Sequence, residues 1–455
     1  MKAPVYIAVL AHLATAATLP KLYEPLQRRQ AAAGSANGTT TTTKGDGATA
    51  LASAVGIISN MTQGMLGGTG TIGGFISGYS IASMFVTALN FPYGKPYMSP
   101  GTLPTKEQVA PTHPEVPGSK TVKMRYGPYK VPSMGVTTTT LTGNEEGMLW
   151  NYPDTNIQKP CDDCMITGIV AEYEYLNGTK ANIDSGQWLH HIVLLSSNSR
   201  ADPTCVGKGT SLPHWVVGFN PSSSERFWAS GNERTPINFL SWGIKDAGYR
   251  MAKGDVMSMI VDLMNMSMQA QTVYVVIKFD YFEGKPAGMS EVKPVWLDVD
   301  QCGFSEAKVK SQTGAYKVVS IPWKSTINGE ILGMGGHIHD GGTRALIKVD
   351  GKVACDSKAG YGEKPEYVSA PGGHAMGKSS KPAEGHSHAE PGKPHISSMI
   401  ACYRGMDELK ETKMTVGQSW TVEAHYDYSQ FAGATHPSGL QENVMGIALM
   451  YVRKT

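Results

Sequence analysis

From Thr121 onward, short runs rich in Val, Ile, Tyr and Thr alternate with turns of Gly, Pro, Asn and Asp. Successive side chains of an extended chain point to opposite faces, so such runs between turn formers read as strands. They fall at 120–131, 165–175, 188–195, 255–264, 273–282 and 315–321, then at 344–349, 397–402, 419–428 and 445–452. Few windows repeat with a helical period. The pattern predicts an all-β chain of two sandwich domains, 121–302 and 303–455. A Gly-, Pro-, Lys- and His-rich insertion at 357–397 reads as a mobile surface loop. It carries His374, His386, His388 and His395, and the His386–His388 pair could scavenge metal.

The first 120 residues are patterned differently. Met1-Lys2 precedes an apolar run from Val5 to Ala17 that ends in small residues, the form of a secretory signal peptide over 1–17. The dibasic Arg28-Arg29 then suggests a pro-segment over 18–29, as in fungal secretory proteins. Residues 30–120 read as a low-complexity stalk, an apolar segment and a Pro-rich linker. The apolar segment, 47–94, has no charged residue. Its 72–89 stretch is nearly long enough for a membrane span, but its Gly and Ser content and missing basic flanks argue against an anchor. An apolar helix or pair packed on the body, or on a second subunit in a homodimer, is the better expectation.

Composition fits export. Six cysteines, Cys161, Cys164, Cys205, Cys302, Cys355 and Cys402, suit an oxidising compartment, and Cys355–Cys402, bracketing the insertion, is the pairing expected first. Cys161-x-x-Cys164 is a candidate redox or zinc motif; with no second pair at zinc spacing, two structural half-disulfides are preferred. Sequons at Asn37, Asn60, Asn177 and Asn265 mark candidate glycosylation sites. A formal net charge of +2 with mixed signs gives no reason to expect nucleic acid as a partner. The expected location is extracellular or in the secretory lumen.

The candidate chemistry is histidine chemistry. His337 and His339 end a strand in a glycine-rich turn and share one face, so both can reach one ion. His190 and His191 are adjacent in an apolar strand; placing both on one ion demands a local twist or a bulge. His436 sits at another turn, with Met445 nine residues later. Imidazoles with a thioether favour copper over hard cations. Met445 as core filler remains the competing reading in a chain with 23 Met. Met257, Met259, Met264, Met266 and Met268 suit either an adaptable apolar wall or core packing. The 225–235 stretch, with paired charges, aromatics and Gly, reads as a pocket lining or as a loop braced by ion pairs.

The His-His strand, the His-x-His turn and the Thr-His…Met block occur in the same order as in the copper type II, ascorbate-dependent monooxygenases. The chain resembles that family, the relatives of peptidylglycine α-hydroxylating monooxygenase, over about 121–455. The resemblance implies two jelly-roll-like sandwiches with a cleft between them. It implies a catalytic copper on His337, His339 and Met445 and an electron-transfer copper on His190 and His191, recharged by ascorbate or another reductant. Where the family has the third histidine of the electron-transfer site, this chain has Asp262; His214 and His425 are candidate substitutes that spacing does not decide between. Gly335 stands where the peptide-amidating enzymes place an arginine, so a peptidylglycine substrate is not expected. The leading expectation is a secreted copper monooxygenase acting on an apolar small molecule. The alternatives are a cofactor-free cyclase of the hetero-Diels–Alder type in fungal natural-product synthesis, and a non-enzymatic copper-binding protein.

Overall fold

The last strand, Val444–Lys454, is buried at nine consecutive positions and explains the architecture. Met445, Ile447, Leu449 and Tyr451 enter one hydrophobic core, while Val444, Ala448, Met450 and Val452 enter another. Its neighbour Ser290–Asp298 alternates the same way, with Val292 and Trp296 in the first core and Val295 and Leu297 in the second. A strand covered on both faces reads as a continuous apolar run, and these two are the walls the two halves share.

A computed structural model describes residues 86–90, 92–95, 103–140, 144–197, 200–206, 214, 217, 219–308, 313–369, 392–433 and 442–455. Among them the fold is all-β. One 12-stranded sheet runs through both halves, its main path ordered Lys106–Val109, Lys120–Val131, Gln271–Glu283, Cys164–Tyr175, Ala247–Met251, Ser290–Asp298, Val444–Lys454, Gly329–Ile338, Cys402–Tyr403. A four-stranded sheet of Met148–Ile157, Val256–Asn265, Gln187–Ser197 and Ser224–Gly231 packs into the first core. A six-stranded sheet built on Ser419–Asp427, Gly342–Val349 and Lys352–Tyr361 closes the second.

Several expectations change. Residues 106–109, read as linker, form an edge strand against Lys120–Val131. The start of the insertion completes the Lys352–Tyr361 strand, and at its end Ile396–Met399 pairs with that strand. His395 is fully buried rather than in a mobile loop, whereas His374, His386 and His388 lie outside the described residues. The signal peptide, pro-segment and most of the apolar segment also lie outside them. Val86–Leu89 is helical, and Val86 packs into the first core. No helix among the described residues is long and apolar enough to cross a membrane.

The cysteines form three disulfides: Cys355–Cys402 as expected, Cys205–Cys302, and Cys161–Cys164, which pair with each other rather than with distant partners. Met257, Met259, Met264 and Met266 are core, and Met268 is exposed. The core-packing reading therefore holds for four of the five Met residues of that run.

Candidate metal centre

The Gln187–Ser197 strand pairs with Val256–Asn265 in a register that skips one residue: Asp262 lies opposite His191, and Leu263 opposite Leu189. His190 is the extra residue of a β-bulge, the local twist that puts both adjacent imidazoles on one side. Their Nδ1 atoms are 3.1 Å apart. Asp262 follows them closely, with Oδ2 3.4 Å from His191 Nε2 and Oδ1 3.9 Å from His190 Nδ1.

The second half brings in the His-x-His turn. His337 is the penultimate residue of Gly329–Ile338 and lies opposite Ile447. The turn is pinned by Tyr426, whose hydroxyl accepts the backbone N–H groups of His339 and Met445, each at 3.1 Å, and donates to the Met445 carbonyl at 2.6 Å. Gly341 turns the chain at φ +86°, where an added Cβ would strike the Tyr428 ring. Asp340 faces away to His395 Nδ1 at 2.5 Å, and His395 Nε2 lies 2.9 Å from Ser369 Oγ. That Ser–His–Asp chain is buried throughout, with Ser369 2% exposed, so it braces the turn from behind and presents no nucleophile.

The imidazoles assigned by the resemblance to two separate centres therefore lie together. The His190 and His339 rings lie tilted against each other with centroids 4.5 Å apart, and His337 and His339 are 5.6 Å apart. One ring nitrogen from each of His190, His191 and His339 falls within 4.8 Å of the others, a spacing that can hold a metal ion. His339 Nδ1 donates to the Asn443 carbonyl at 3.1 Å, and His337 Nδ1 lies 3.1 Å from both oxygens of Glu233. With Nδ1 spent as a donor, each Nε2 keeps its lone pair. Both Nε2 atoms are buried and unpartnered. A buried lone pair without a partner is costly unless a hydrogen-bond donor such as water, or a cation, meets it.

The electrostatics point the same way. Burial, then the neighbouring His339 and His337, hold His191 well below the usual imidazole range; burial and His337 bring His339 to about 4. Both rings are thus neutral at neutral pH, the form that ligates metal. Glu145, Asp262, Glu306 and Glu442 wall the adjoining space. Burial and mutual repulsion raise Asp262 well above its ordinary range, Glu145 to about 9 and Glu306 to about 7. A cation in this neighbourhood would relieve that repulsion. The open space is small. About 20 Å³ is open to a water's centre between Trp188, Glu233, His337 and His339, and about 10 Å³ beside Glu306 and Asp262. Each holds roughly one water.

Met445 lies on the strand face that carries His337, is 1% exposed and packs into the first core. His425 is elsewhere: its Nε2 lies 3.1 Å from Glu423 on the outer sheet. His214 is packed against Phe219, kept at about 3 by burial and Arg226. Neither substitutes at the centre. His436 lies outside the described residues, as do Asn37 and Asn60. Asn177 is exposed in a turn, but Asn265 is fully buried; its Nδ2 donates to the carbonyls of Pro132 and Gln269, so a glycan has no place there in the folded chain. Glu233 is the residue the sequence did not single out. It lies within the 225–235 stretch, which turns out both to line the space and to be braced by ion pairs such as Arg226–Asp202.

No family model matches the chain. It is 27% identical over 332 residues to a probable copper-dependent oxygenase, M1, of a Phoma species, covering 73% of this chain and 72% of that one. It is 27% identical over 284 residues to the probable copper-dependent oxygenase clz3 of Cochliobolus lunatus, covering 62% and 78%. Among solved structures, a peptide-N(4)-(N-acetyl-β-D-glucosaminyl) asparagine amidase aligns at TM-score 0.30 and 9% identity over 77% of this chain and 96% of that one. The major capsid protein P2 of bacteriophage PM2 aligns at TM-score 0.26 and 8% identity over 67% and 93%. At those scores neither structure informs the chemistry.

Proposed function

We propose that this chain is a copper-dependent oxygenase whose ion is held by His190, His191 and His339. The observation that carries the reading is the convergence of these three ring nitrogens from both halves of the fold. The donor set fits: an M–N bond of about 2.0–2.1 Å puts two nitrogens on one ion about 3 Å apart, and the His190 and His191 Nδ1 atoms are 3.1 Å apart. Neutral imidazoles suit copper, and the thioether of Met445, on the strand face that carries His337, is the soft donor to test. The similarity to two proteins named as probable copper-dependent oxygenases supports the same metal and reaction class.

Copper bound here would supply the one-electron chemistry that lets dioxygen oxidise a C–H bond. The reaction balances with one oxygen atom entering the substrate and the other leaving as water, two electrons and two protons coming from ascorbate or another reductant. The chain's own part is to hold the ring nitrogens in fixed tautomers and to keep the centre closed. The Asn443 carbonyl fixes His339, and the Tyr426 clamp fixes the turn that bears it.

The test is copper content with dioxygen uptake. Chelator-stripped protein should take up copper and consume dioxygen with ascorbate, and His339→Ala should lose both. Protein that takes up no copper, or that is equally active after stripping, would overturn the reading and return the cofactor-free cyclase to the front.

A further inference from the structure

A groove of about 340 Å³ opens on the six-stranded sheet, against about 20 and 10 Å³ beside the imidazoles. The groove has the size of a small-molecule site and the two inner spaces do not. Strand register builds its floor. Lys317 of the Ala315–Val319 strand and Arg344 of Gly342–Val349 both lie directly opposite His425 of Ser419–Asp427, which runs between them. Residues opposite one another in a sheet put their side chains on one face. All three line the groove, and the Lys317, His425 and Arg344 side chains are 49%, 29% and 40% exposed.

The acids around this row are already engaged. Glu423 meets Lys317 Nζ at 3.1 Å and Lys348 Nζ at 2.6 Å, and Asp427 accepts hydrogen bonds from Ser429 and Gln430. Arg344 Nη1 donates to Asp356 at 3.2 Å, with Lys358 Nζ 3.8 Å from the same carboxylate. That contact uses one of the five N–H donors of a guanidinium. Four cations, Lys317, Arg344, Lys348 and Lys358, stand against three carboxylates, Glu423, Asp427 and Asp356, which leaves one positive charge for a ligand. A guanidinium fork beside an ammonium suits a small, planar oxyanion.

The groove is joined to the metal centre by aromatic rings. Tyr316 lines it and stacks on Tyr426, with centroids 5.5 Å apart and planes 14° apart. The Tyr426 hydroxyl in turn accepts the backbone N–H of His339 at 3.1 Å. Tyr316 is held in place by its own hydroxyl, which donates to that of Tyr428 at 2.9 Å. Ring contact and hydrogen bond thus run from the groove to a residue proposed to hold the ion, and electrons tunnel more readily through packed atoms than across open space.

We infer that the groove binds the reductant, as a small enediol monoanion of the ascorbate class, and that Tyr316 and Tyr426 carry its electron to the ion. This rests on the copper reading above. Each bound anion gives up one electron and one enol proton. The electron crosses the two rings and reduces Cu(II) to Cu(I), the proton passes to water at the open groove, and the radical anion leaves. Two anions in succession supply the two electrons of one turnover.

The experiment has two arms, both on full-length protein without dioxygen. Calorimetric titration of ascorbate into copper-free protein should show saturable binding, weakened about tenfold in Arg344→Gln and in Lys317→Gln by loss of one charge-assisted contact. L-Gulono-1,4-lactone, which keeps the ring and hydroxyls but has no ionised enediol, should not bind. In copper-loaded protein, the stopped-flow rate of Cu(II) reduction should level off as ascorbate rises. At saturating ascorbate, where differences in binding drop out, Tyr316→Leu should reduce copper more slowly than the wild type. Absence of ascorbate binding, equal binding of the lactone, or wild-type affinity in Arg344→Gln overturns the groove. A wild-type limiting rate in Tyr316→Leu overturns the path. Neither result touches the copper reading, which metal content decides separately; protein that takes up no copper overturns that reading, and the copper-free titration still decides the groove.

Discussion

Stripping and restoring copper should change the melting temperature of the wild type and leave His339→Ala unmoved. In the proposed site the ion's donors come from the first half at His190 and His191 and from the second at His339. Binding therefore requires the two cores to be docked, and the unfolded chain has no such group. A ligand that binds only the native state at 100 times its dissociation constant adds about 2.7 kcal/mol of stability. At about 2–4 °C per kcal/mol for domains of 150–250 residues, that is a rise of about 5–10 °C, and toward the lower end for a chain of this length. In His339→Ala one of the three nitrogens is gone, so the rise should vanish. The apo variant should not collapse. Losing a buried ring costs packing, commonly a few kcal/mol, but it also removes a buried unpartnered Nε2 that costs about 1–3 kcal/mol. The assay is scanning calorimetry of chelator-treated protein with and without one equivalent of Cu(II). A copper-induced rise in His339→Ala equal to that of the wild type would refute the reasoning, because the ion would then be bound elsewhere.

Acid stability should depend on His214, which folding holds at about 3 through burial and Arg226. Its contribution is fully present above the unfolded value near 6.5 and is lost at about 1.4 kcal/mol per pH unit as pH falls toward 3. Urea midpoints between pH 7 and 4 should therefore fall less steeply in His214→Phe, and equal slopes would contradict this. Replacing both Cys355 and Cys402 by Ser opens a link of 47 residues and should cost about 4 kcal/mol, read as a lowered urea midpoint; an unchanged midpoint would deny that the bond constrains the unfolded chain. Peptide mapping of protein expressed through a secretory pathway should find a glycan on Asn177 and none on Asn265, and a fully occupied Asn265 would contradict its buried place in the first half.

Most strands were legible because their signal is local. The run 120–131 is a strand with those same ends, and 419–428 differs by one residue. Three of the longer strands missed have an interrupted pattern: Met148–Ile157 contains Pro153, Ser224–Gly231 carries the buried charges Glu225 and Arg226, and Ser290–Asp298 contains Pro294. Their polar groups are satisfied only by tertiary partners, Arg226 by Asp202 and Glu225 by Tyr249, which no window of sequence contains.

The same contrast governs the metal centre. The His-His and His-x-His pairs were readable because each is two residues of one strand or turn, and a local twist or bulge was demanded in advance by the geometry of adjacent side chains. What could not be read was how the pairs combine. Assigning each pair its own ion follows naturally when each half of the chain is pictured with its own core. In the structure Ser290–Asp298 and Val444–Lys454 are walls common to both cores, and that sharing brings His339 up against the His190 ring, the juxtaposition from which a single ion is proposed. Glu233 was hidden for a related reason. A carboxylate in a loop full of paired charges looks like another solvated ion pair, and only docking across the halves turns it toward His337. If that docking assembles the centre, a substitution that loosens it far from any imidazole, such as Trp296→Ala on the Ser290–Asp298 wall, should weaken copper binding even though every ligand is intact. Copper affinity unchanged in a folded Trp296→Ala protein would mean that the ligands are held by their own strands alone.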